Sequence, residues 1–258
     1  MIGAVRMKLV TFNIRLDWNR DSENNFCFRK PLILKKIRQE SPDIICFQEV
    51  LPHVAHWLKE SLPEYYIVGC PRGADLQDEQ ACIAYRATRF NLLKLDSYWL
   101  SHTPNIPGSR YPEQSPCPRI CTQVTLQDLA TGKVFRLANT HLDHEGHKAR
   151  ILGAKQIIER MKAEDFFSGA PAILVGDLNA EPDSIEIQYI TNNFGLRNLA
   201  QDVGITYHGF HKVDMPAQID YIFVTEEISC DTVEKWTDNV NGVYLSDHYP
   251  VCAEIIIN

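Results

Sequence analysis

The chain has no long apolar run, no basic block and no framework of paired cysteines, and each absence removes a class of function. No stretch approaches the ~18 consecutive apolar residues of a membrane-spanning helix, so no membrane span is expected. The opening Met1-Ile2-Gly3-Ala4-Val5-Arg6-Met7 lacks the charged and apolar regions of a secretory leader. The formal net charge is −7 and lysines and arginines form no run. That argues against tight binding of long duplex DNA through a global positive field. Of the eight cysteines, Cys46 and Cys252 sit inside apolar runs and read as small core residues. Cys117 and Cys121 are the only close pair, and with no partner pair they make a poor zinc site. A reduced, cytoplasmic protein is the expectation. Low-complexity tracts, linkers and short repeats are also missing.

What is present is an ordinary globular composition: 258 residues, 45% hydrophobic and 23% charged. That length can bury a substantial core, and a single domain over 1–258 is expected. Strands are read at 8–12, 44–47, 65–68, 82–85, 90–100, 120–126, 134–140, 172–175, 219–224 and 251–257. Ala130-Thr131-Gly132-Lys133 marks a hairpin. Helices are expected from Pro31 to Glu40 with the proline at the start, from Pro52 to Leu62, from Lys148 to Met161, and from about Asp183 to Asn192 with Asp183 or Ser184 as N-cap. The segment 101–118 carries five prolines and one glycine and reads as a long surface loop. Hairpins mixed with crossover helices imply an α/β protein with a mixed sheet, or two sheets, and helices outside.

The strand ends carry the chemistry. Ala172-Ile173-Leu174-Val175 is a buried strand that runs into Gly176, which permits close backbone approach, and then into Asp177 and Asn179. Spaced i and i+2, these two point the same way if the chain stays extended, although Asp-x-Asn pairs also form simple turns. Other strands end likewise: at Asn13, at Gln48-Glu49 and at His141, while Asp220 opens one strand and Asp247-His248 precedes another. One rim of a mixed sheet could gather Asn13, Glu49, His141, Asp177, Asn179, Asp220, Asp247 and His248. Hydrolysis of a phosphate ester needs charge neutralised on the phosphoryl oxygens, a water deprotonated and the leaving oxygen stabilised. A divalent cation serves the first and third needs. Mg²⁺ prefers oxygen ligands and keeps its waters, so Glu49 is the best single ligand, with Asn13 beside it. Histidine suits Mg²⁺ poorly, so His141 and His248 are expected to donate to phosphate or to move protons. Asp220 or Asp247 could orient His248.

Thr11-Phe12-Asn13, Phe47-Gln48-Glu49-Val50, Thr140-His141-Leu142-Asp143-His144, Gly176-Asp177-Leu178-Asn179, Ile219-Asp220-Tyr221-Ile222 and Ser246-Asp247-His248 occur in that order. Together they resemble the endonuclease/exonuclease/phosphatase superfamily, whose members are similar to deoxyribonuclease I. The resemblance implies a four-layer α/β/β/α sandwich, two mixed sheets packed face to face with helices outside. Carried over position by position, it implies that Glu49 binds Mg²⁺ or Mn²⁺ next to Asn13. It implies that Asp177 positions or deprotonates the attacking water, Asn179 contacts the phosphate, and His141 and His248 flank the scissile phosphate. Asp220 would pair with His248, Asp247 would be a metal or nearby carboxylate, and Arg119 would match a phosphate-binding arginine of some members. Some members carry an acid shortly after the first-strand Asn; here Ile14-Arg15 follows, with Asp17 beyond, which puts a second metal in doubt. Tyr98-Trp99-Leu100-Ser101-His102-Thr103-Pro104 is similar to bacterial members, and the general look is nearest the deadenylase and nocturnin-like group.

The expectation is a metal-dependent phosphoesterase, nuclease or phosphatase, and a monomer. Its substrate would be a single-stranded nucleic acid, a nucleotide or another small phosphoester. Tyr98, Trp99 and Tyr111 are available either for stacking on such a substrate or for the core. Two alternatives stand beside it. A dinuclear zinc hydrolase would use His141-Leu142-Asp143-His144 and His147, but Asn139 stands where a further His would be needed. A non-catalytic binding module on the same fold is opposed by the intact Glu49, Asp177 and His248.

Overall fold

Strand-forming segments fall into two six-stranded mixed sheets. The computed structural model describes residues 4–163 and 167–258; residues 1–3 of the leader reading lie outside them. In chain order the elements are β1 (Val5–Asn13), α1 (Phe26–Glu40), β2 (Ile44–Val50), α2 (Pro52–Ser61), β3 (Tyr65–Val68), β4 (Gln80–Arg86), β5 (Phe90–Trp99), β6 (Ile120–Asp128), β7 (Val134–His141), α3 (His147–Lys162), β8 (Ala172–Asp177), α4 (Ile185–Thr191), β9 (Arg197–Asn198), β10 (Asp220–Val224), β11 (Ile228–Lys235), β12 (Asn239–Val240), β13 (Val243–Tyr244) and β14 (Val251–Ile257). One sheet has the order β11-β14-β1-β2-β4-β3 and the other β5-β6-β7-β8-β10-β9; β12 and β13 form a separate ribbon.

The alternation of apolar side chains along the strands builds three cores. Val5, Met7, Leu9, Ile44 and Cys46 of the first sheet meet Val124, Leu137, Ile173 and Val175 of the second in the central core. The opposite face of the first sheet, through Val10, Phe12, Ile45 and Phe47, packs on Ile33 and Ile37 of α1 and Val54 and Leu58 of α2. The opposite face of the second, through Ala138, Leu174 and Phe223, packs on Ile157 and Ile158 of α3 and Ile187 and Ile190 of α4. The result is the expected α/β/β/α stack.

Register fixes the rim. β1 and β2 are parallel with Asn13 opposite Gln48; β7 and β8 are parallel with His141 opposite Asp177. β10 runs antiparallel to β8, so Asp220 faces Asp177. β14 runs antiparallel to β1, which brings its leading residues Asp247 and His248 to the same end. Gly176 has φ +146°, and a Cβ there would lie 1.9 Å from the Thr140 carbonyl oxygen. Only glycine lets β7 and β8 close to this distance beside the two site residues.

The sheets are also clamped across the central core by polar groups. Asn139 of β7 donates to the Phe47 carbonyl at 2.8 Å and to the Cys82 carbonyl at 2.9 Å, and accepts from Gln48 Nε2 at 2.7 Å. These groups are buried, so each bond removes a desolvation penalty as well as holding the sheets in one relative position.

Some elements differ from the sequence reading. α1 begins at Phe26, not Pro31, and the proline lies inside it. Its missing N–H and its ring's crowding of the carbonyl four residues back are offset by tertiary contacts of the first turn. The Asn25 side chain accepts from Cys27 N at 3.1 Å, Phe26 packs edge-on against Trp57 at 5.2 Å, and Arg29 is fully buried. Ser184 occupies the N-cap position of α4, but its hydroxyl makes no capping bond. β11 is absent from the sequence reading because it is a half-exposed edge strand with no clear alternation. Tyr98, Trp99 and Tyr111 are core residues at 0%, 6% and 7% exposure, so none of them is free to stack on a substrate.

Candidate active site

The site assembles around the last side chain of β1. Asn13 is fully buried; its Nδ2 donates to Glu49 Oε1 and to Asp177 Oδ2, both at 3.0 Å. One amide thereby links a carboxylate of the first sheet to a carboxylate of the second. Asp177 Oδ2 is also 3.4 Å from His141 Nε2 and 3.7 Å from His248 Nε2. Its Oδ1 accepts from the Asn179 backbone N–H at 3.0 Å. His248 is held from behind by Asp220, Nδ1 to Oδ2 at 2.8 Å, and the Tyr207 ring lies 4.9 Å from the imidazole. Glu49 Oε2 accepts from Leu16 N at 2.8 Å.

Local backbone conformations aim these groups. Arg15, Glu49 and Asn179 are non-glycine residues with φ of 59°, 62° and 46°. The left-handed region is costly for such residues, and their clustering here is of the kind found where the surrounding fold over-determines a site. Asn13 Oδ1 fixes one of them by accepting from Arg15 N at 3.0 Å. Asn179 Nδ2 donates to the Leu142 carbonyl at 3.1 Å, tying the turn after β8 to the turn after β7.

All nine residues nominated from sequence meet here, and seven of them line one cavity: Glu49, His141, Asp177, Asn179, Asp247, His248 and, on the far wall, Arg119. Asn13 and Asp220 lie just behind that surface, each bonded to a lining residue. Arg119 stands apart in its bonding: Nε faces Asp143 at 3.4 Å and Nη2 faces His144 Nδ1 at 2.7 Å, leaving Nη1 without a partner. The cavity holds about 510 Å³, a volume in the range of small-molecule sites. Arg15, Arg72, Glu79 and Tyr207 also line it and were missed from sequence. Arg15 was within reach, two residues beyond Asn13; Arg72 and Glu79 sit around a loop with no periodic signal.

Electrostatics separates the two histidines. Burial together with the Arg119 and Arg72 guanidiniums holds His141 well below its ordinary 6.5, so it is neutral. Burial also works against a charged His248, but Asp220, Asp177 and the hydrogen bond to Asp220 outweigh it and raise the imidazole to about 10. Asp177 is pushed up to about 7, first by burial and then by Asp220. Asp247 is raised mainly by burial. Glu49 resists burial because Arg15, the Leu16 amide and the Asn13 amide stabilise its charge and keep it below the usual range.

Two groupings could hold a cation. Among the described residues, Asp177, Asp220 and His248 are the set whose ligand atoms all lie within 4.8 Å. There, however, the imidazolium of His248 already balances Asp220. The carboxylate oxygens of Glu49 and Asp247 suit a hard cation better, while Asn13 turns its Nδ2 to Glu49 and its Oδ1 to the Arg15 amide. The carboxylates of Glu49, Asp177, Asp220 and Asp247 lie in and just behind the cavity wall, and the nearest cations are already engaged, Arg15 with Asp21 and Asp247 and His248 with Asp220; such a set of acidic oxygen donors fits a divalent ion. The zinc alternative does not assemble. Asp143 is spent on Ser115, Gly146 and Arg119, and His147 Nδ1 is bonded to Glu186 at 2.9 Å.

A family model described as Endonuclease/Exonuclease/phosphatase family matches residues 10–248. A structure of an endonuclease/exonuclease/phosphatase from Bacteroides vulgatus is 32% identical, with a TM-score of 0.92 over 98% of this chain and 100% of that one. A mannosyl-6-phosphatase of Bacteroides thetaiotaomicron is 26% identical, with a TM-score of 0.87 over 96% and 99%. The human nocturnin catalytic domain shares the fold at 19% identity, with a TM-score of 0.75 over 98% and 96%.

Proposed function

The chain belongs to the endonuclease/exonuclease/phosphatase family, and on that premise we propose that it is a Mg²⁺- or Mn²⁺-dependent phosphoesterase acting on a small phosphoester. The observation that carries this reading is Asp177 Oδ2, which lies within 3.0 to 3.7 Å of Asn13, His141 and His248 at the base of the cavity. Glu49, with Asn13 and Asp247 beside it, would hold the ion; when bound, it would neutralise charge on the phosphoryl and leaving oxygens.

The protein's own groups divide the remaining work. Asp177, with its affinity for protons raised toward neutrality, positions a water and accepts its proton as the oxygen attacks phosphorus. His248, charged and oriented by Asp220, donates to a phosphoryl oxygen and stabilises the charge that develops there. Neutral His141 supplies an N–H on the other side of Asp177. Asn179 and Arg119 contact the phosphate. A cavity of about 510 Å³ on an acidic chain favours a nucleotide, a sugar phosphate or another small ester over a polymer. The likeness to a mannosyl-6-phosphatase supports the same choice. We also read the chain as one catalytic domain, a monomer, and, with all eight cysteines free, a protein of the reducing cytoplasm.

The test is a panel of sugar phosphates, nucleotides, dinucleotides and single-stranded oligonucleotides with Mg²⁺, before and after EDTA. Hydrolysis that requires added Mg²⁺ and vanishes in Asp177→Asn is the expected result. Stoichiometric zinc in protein purified without chelator, or activity untouched by Asp177→Asn, would refute the proposal.

A further inference from the structure

Besides Arg15, Arg72 and Arg119 in the cavity, a fourth arginine behind it is bonded to segments that hold the site. Arg29 on α1 is 0% exposed, and among the described residues its hydrogen bonds go to carbonyls and none to a carboxylate. A buried guanidinium is expensive unless its donors are satisfied, and here all five N–H groups meet backbone carbonyls. Nε donates to Asn24 O at 2.7 Å. Nη1 donates to Ile14 O and to Leu245 O, the latter at 3.1 Å. Nη2 donates to Arg15 O at 3.0 Å and to Leu16 O at 3.4 Å. The Phe26 ring lies 5.2 Å from the guanidinium carbon.

Four of those five carbonyls belong to the two segments that carry the site; the fifth, Asn24 O, lies just before α1. Residues 14–16 follow Asn13; their carbonyls turn to Arg29 while the amides of Arg15 and Leu16 turn to Asn13 Oδ1 and Glu49 Oε2. Leu245 precedes Ser246-Asp247-His248. The same guanidinium therefore spans the Glu49 side and the His248 side. Arg15, with φ 59°, is the strained residue at the centre of the held segment, and its side chain faces Asp247 at 3.6 Å.

We infer that Arg29 is a positioning residue: its planar fork locks the 14–16 and 245–248 segments together and so sets the spacing of the cation-holding and phosphate-facing groups. Lysine cannot replace it. Its three donors radiate from one nitrogen, whereas five carbonyls from three segments are met here by three nitrogens in a plane. The inference rests on the functional reading above.

The experiment compares wild type with Arg29→Met and Arg29→Lys, and with Arg136→Met as a control. Arg136 is likewise buried and bonded to the carbonyls of Met161, Ser168 and Ala170, but at the opposite end of β7 from His141. Three quantities are read: kcat and KM, the Mg²⁺ concentration for half-activation, and the rise in Tm on adding Mg²⁺ alone. Expected for both Arg29 variants are a half-activating Mg²⁺ concentration at least tenfold higher, kcat at least tenfold lower, and a reduced Mg²⁺-induced rise in Tm. Arg136→Met should lower Tm and leave the Mg²⁺ midpoint within twofold. If Arg29→Met does not fold, Arg29→Lys decides. A folded Arg29→Lys with midpoint and kcat within twofold of wild type overturns the inference, as does Arg136→Met shifting the midpoint equally. A wild type that neither hydrolyses phosphoesters nor gains Tm with Mg²⁺ overturns the functional reading itself and this inference with it.

Discussion

Asp220→Asn is the sharpest single perturbation of the site. The asparagine keeps the shape and can still bond to His248, but it removes the charge that holds the imidazole protonated. His248 is raised from 6.5 to about 10, with burial opposing and Asp220 the largest favourable cause. A displacement of that size corresponds to a net preference for the charged form on the order of 5 kcal/mol, left after Asp220, Asp177 and Asp247 have overcome the cost of burial. Losing the first of these lets burial weigh more heavily and lowers His248 toward its ordinary 6.5. Asp177 falls as well, because Asp220 is one of the causes that raise it. In wild type, kcat/KM should rise with pH as Asp177 ionises near 7 and stay high until His248 loses its proton near 10. In Asp220→Asn the alkaline limb should move down by two units or more, and with the imidazole near 6.5 turnover at pH 8 should fall by roughly 30-fold. Stability gives an independent sign. A histidine raised in the folded state contributes stability in full below 6.5 and loses it as pH rises through about 10. The Tm gap between wild type and variant should therefore be wide at pH 6–8 and close above pH 10. Matched pH–rate profiles, paired with an NMR titration of the His248 imidazole, measure both effects. Superimposable profiles, or an imidazole that titrates alike in the two proteins, would refute the assignment.

Three further outcomes follow from the geometry. Gly176→Ala should fail to fold or lose several kcal/mol, because the new Cβ meets the Thr140 carbonyl oxygen at 1.9 Å; a chemical denaturation curve close to wild type would contradict the β7–β8 contact. Asn139→Ala strips donors from the Phe47 and Cys82 carbonyls and the acceptor from Gln48, and should cost on the order of 3–5 kcal/mol, read as a shift in denaturation midpoint. Asp143 is held below the usual carboxylate range, burial being outweighed by Ser115, Gly146 and Arg119. Its stabilisation is present above ~4 and lost as pH falls through its lowered folded value, so the Tm difference between wild type and Asp143→Asn should be largest at neutral pH and vanish in strong acid.

The strands were legible because both faces of each inner strand are buried, which leaves runs such as Ala172–Val175 apolar throughout. The strand-end polar residues were legible for the same reason: a carboxylate next to such a run has few places to go except the rim. What stayed hidden depends on contacts distant in sequence. Arg29 reads as one more charged residue near a helix start, and nothing local says that five carbonyls from residues 14 to 245 will surround it. Arg72 and Glu79 reach the cavity from the turn between β3 and β4, whose path is set by packing and not by periodicity. Pro31 misled because proline marks a first helical turn on average, whereas here the burial of Phe26 and Arg29 extends α1 backward past it. Asn139 was read only as a missing histidine; its place between the sheets, bonded to two strands of the other, appears only in three dimensions.

That clamp and the strained residues are two halves of one design. Arg15, Glu49 and Asn179 each hold a backbone conformation that costs on the order of 1 kcal/mol or more, and each bears on a functional contact. Such strain persists only where neighbours leave no alternative. Asn13 holds Arg15 through its amide; Leu16 and Asn13 hold Glu49; Asp177 and Leu142 hold Asn179. Three of these five tethers cross between neighbouring strand ends, and Asn13 joins the opposing sheets through its bond to Asp177. The sheets must therefore keep a fixed offset for the tethers to act, and the buried Asn139–Gln48 pair supplies it one step below the rim. Loosening the clamp should release strain and activity together. Milder clamp variants such as Gln48→Met, which remove the donor without burying a charge, should then lose more turnover than their loss of stability alone would explain.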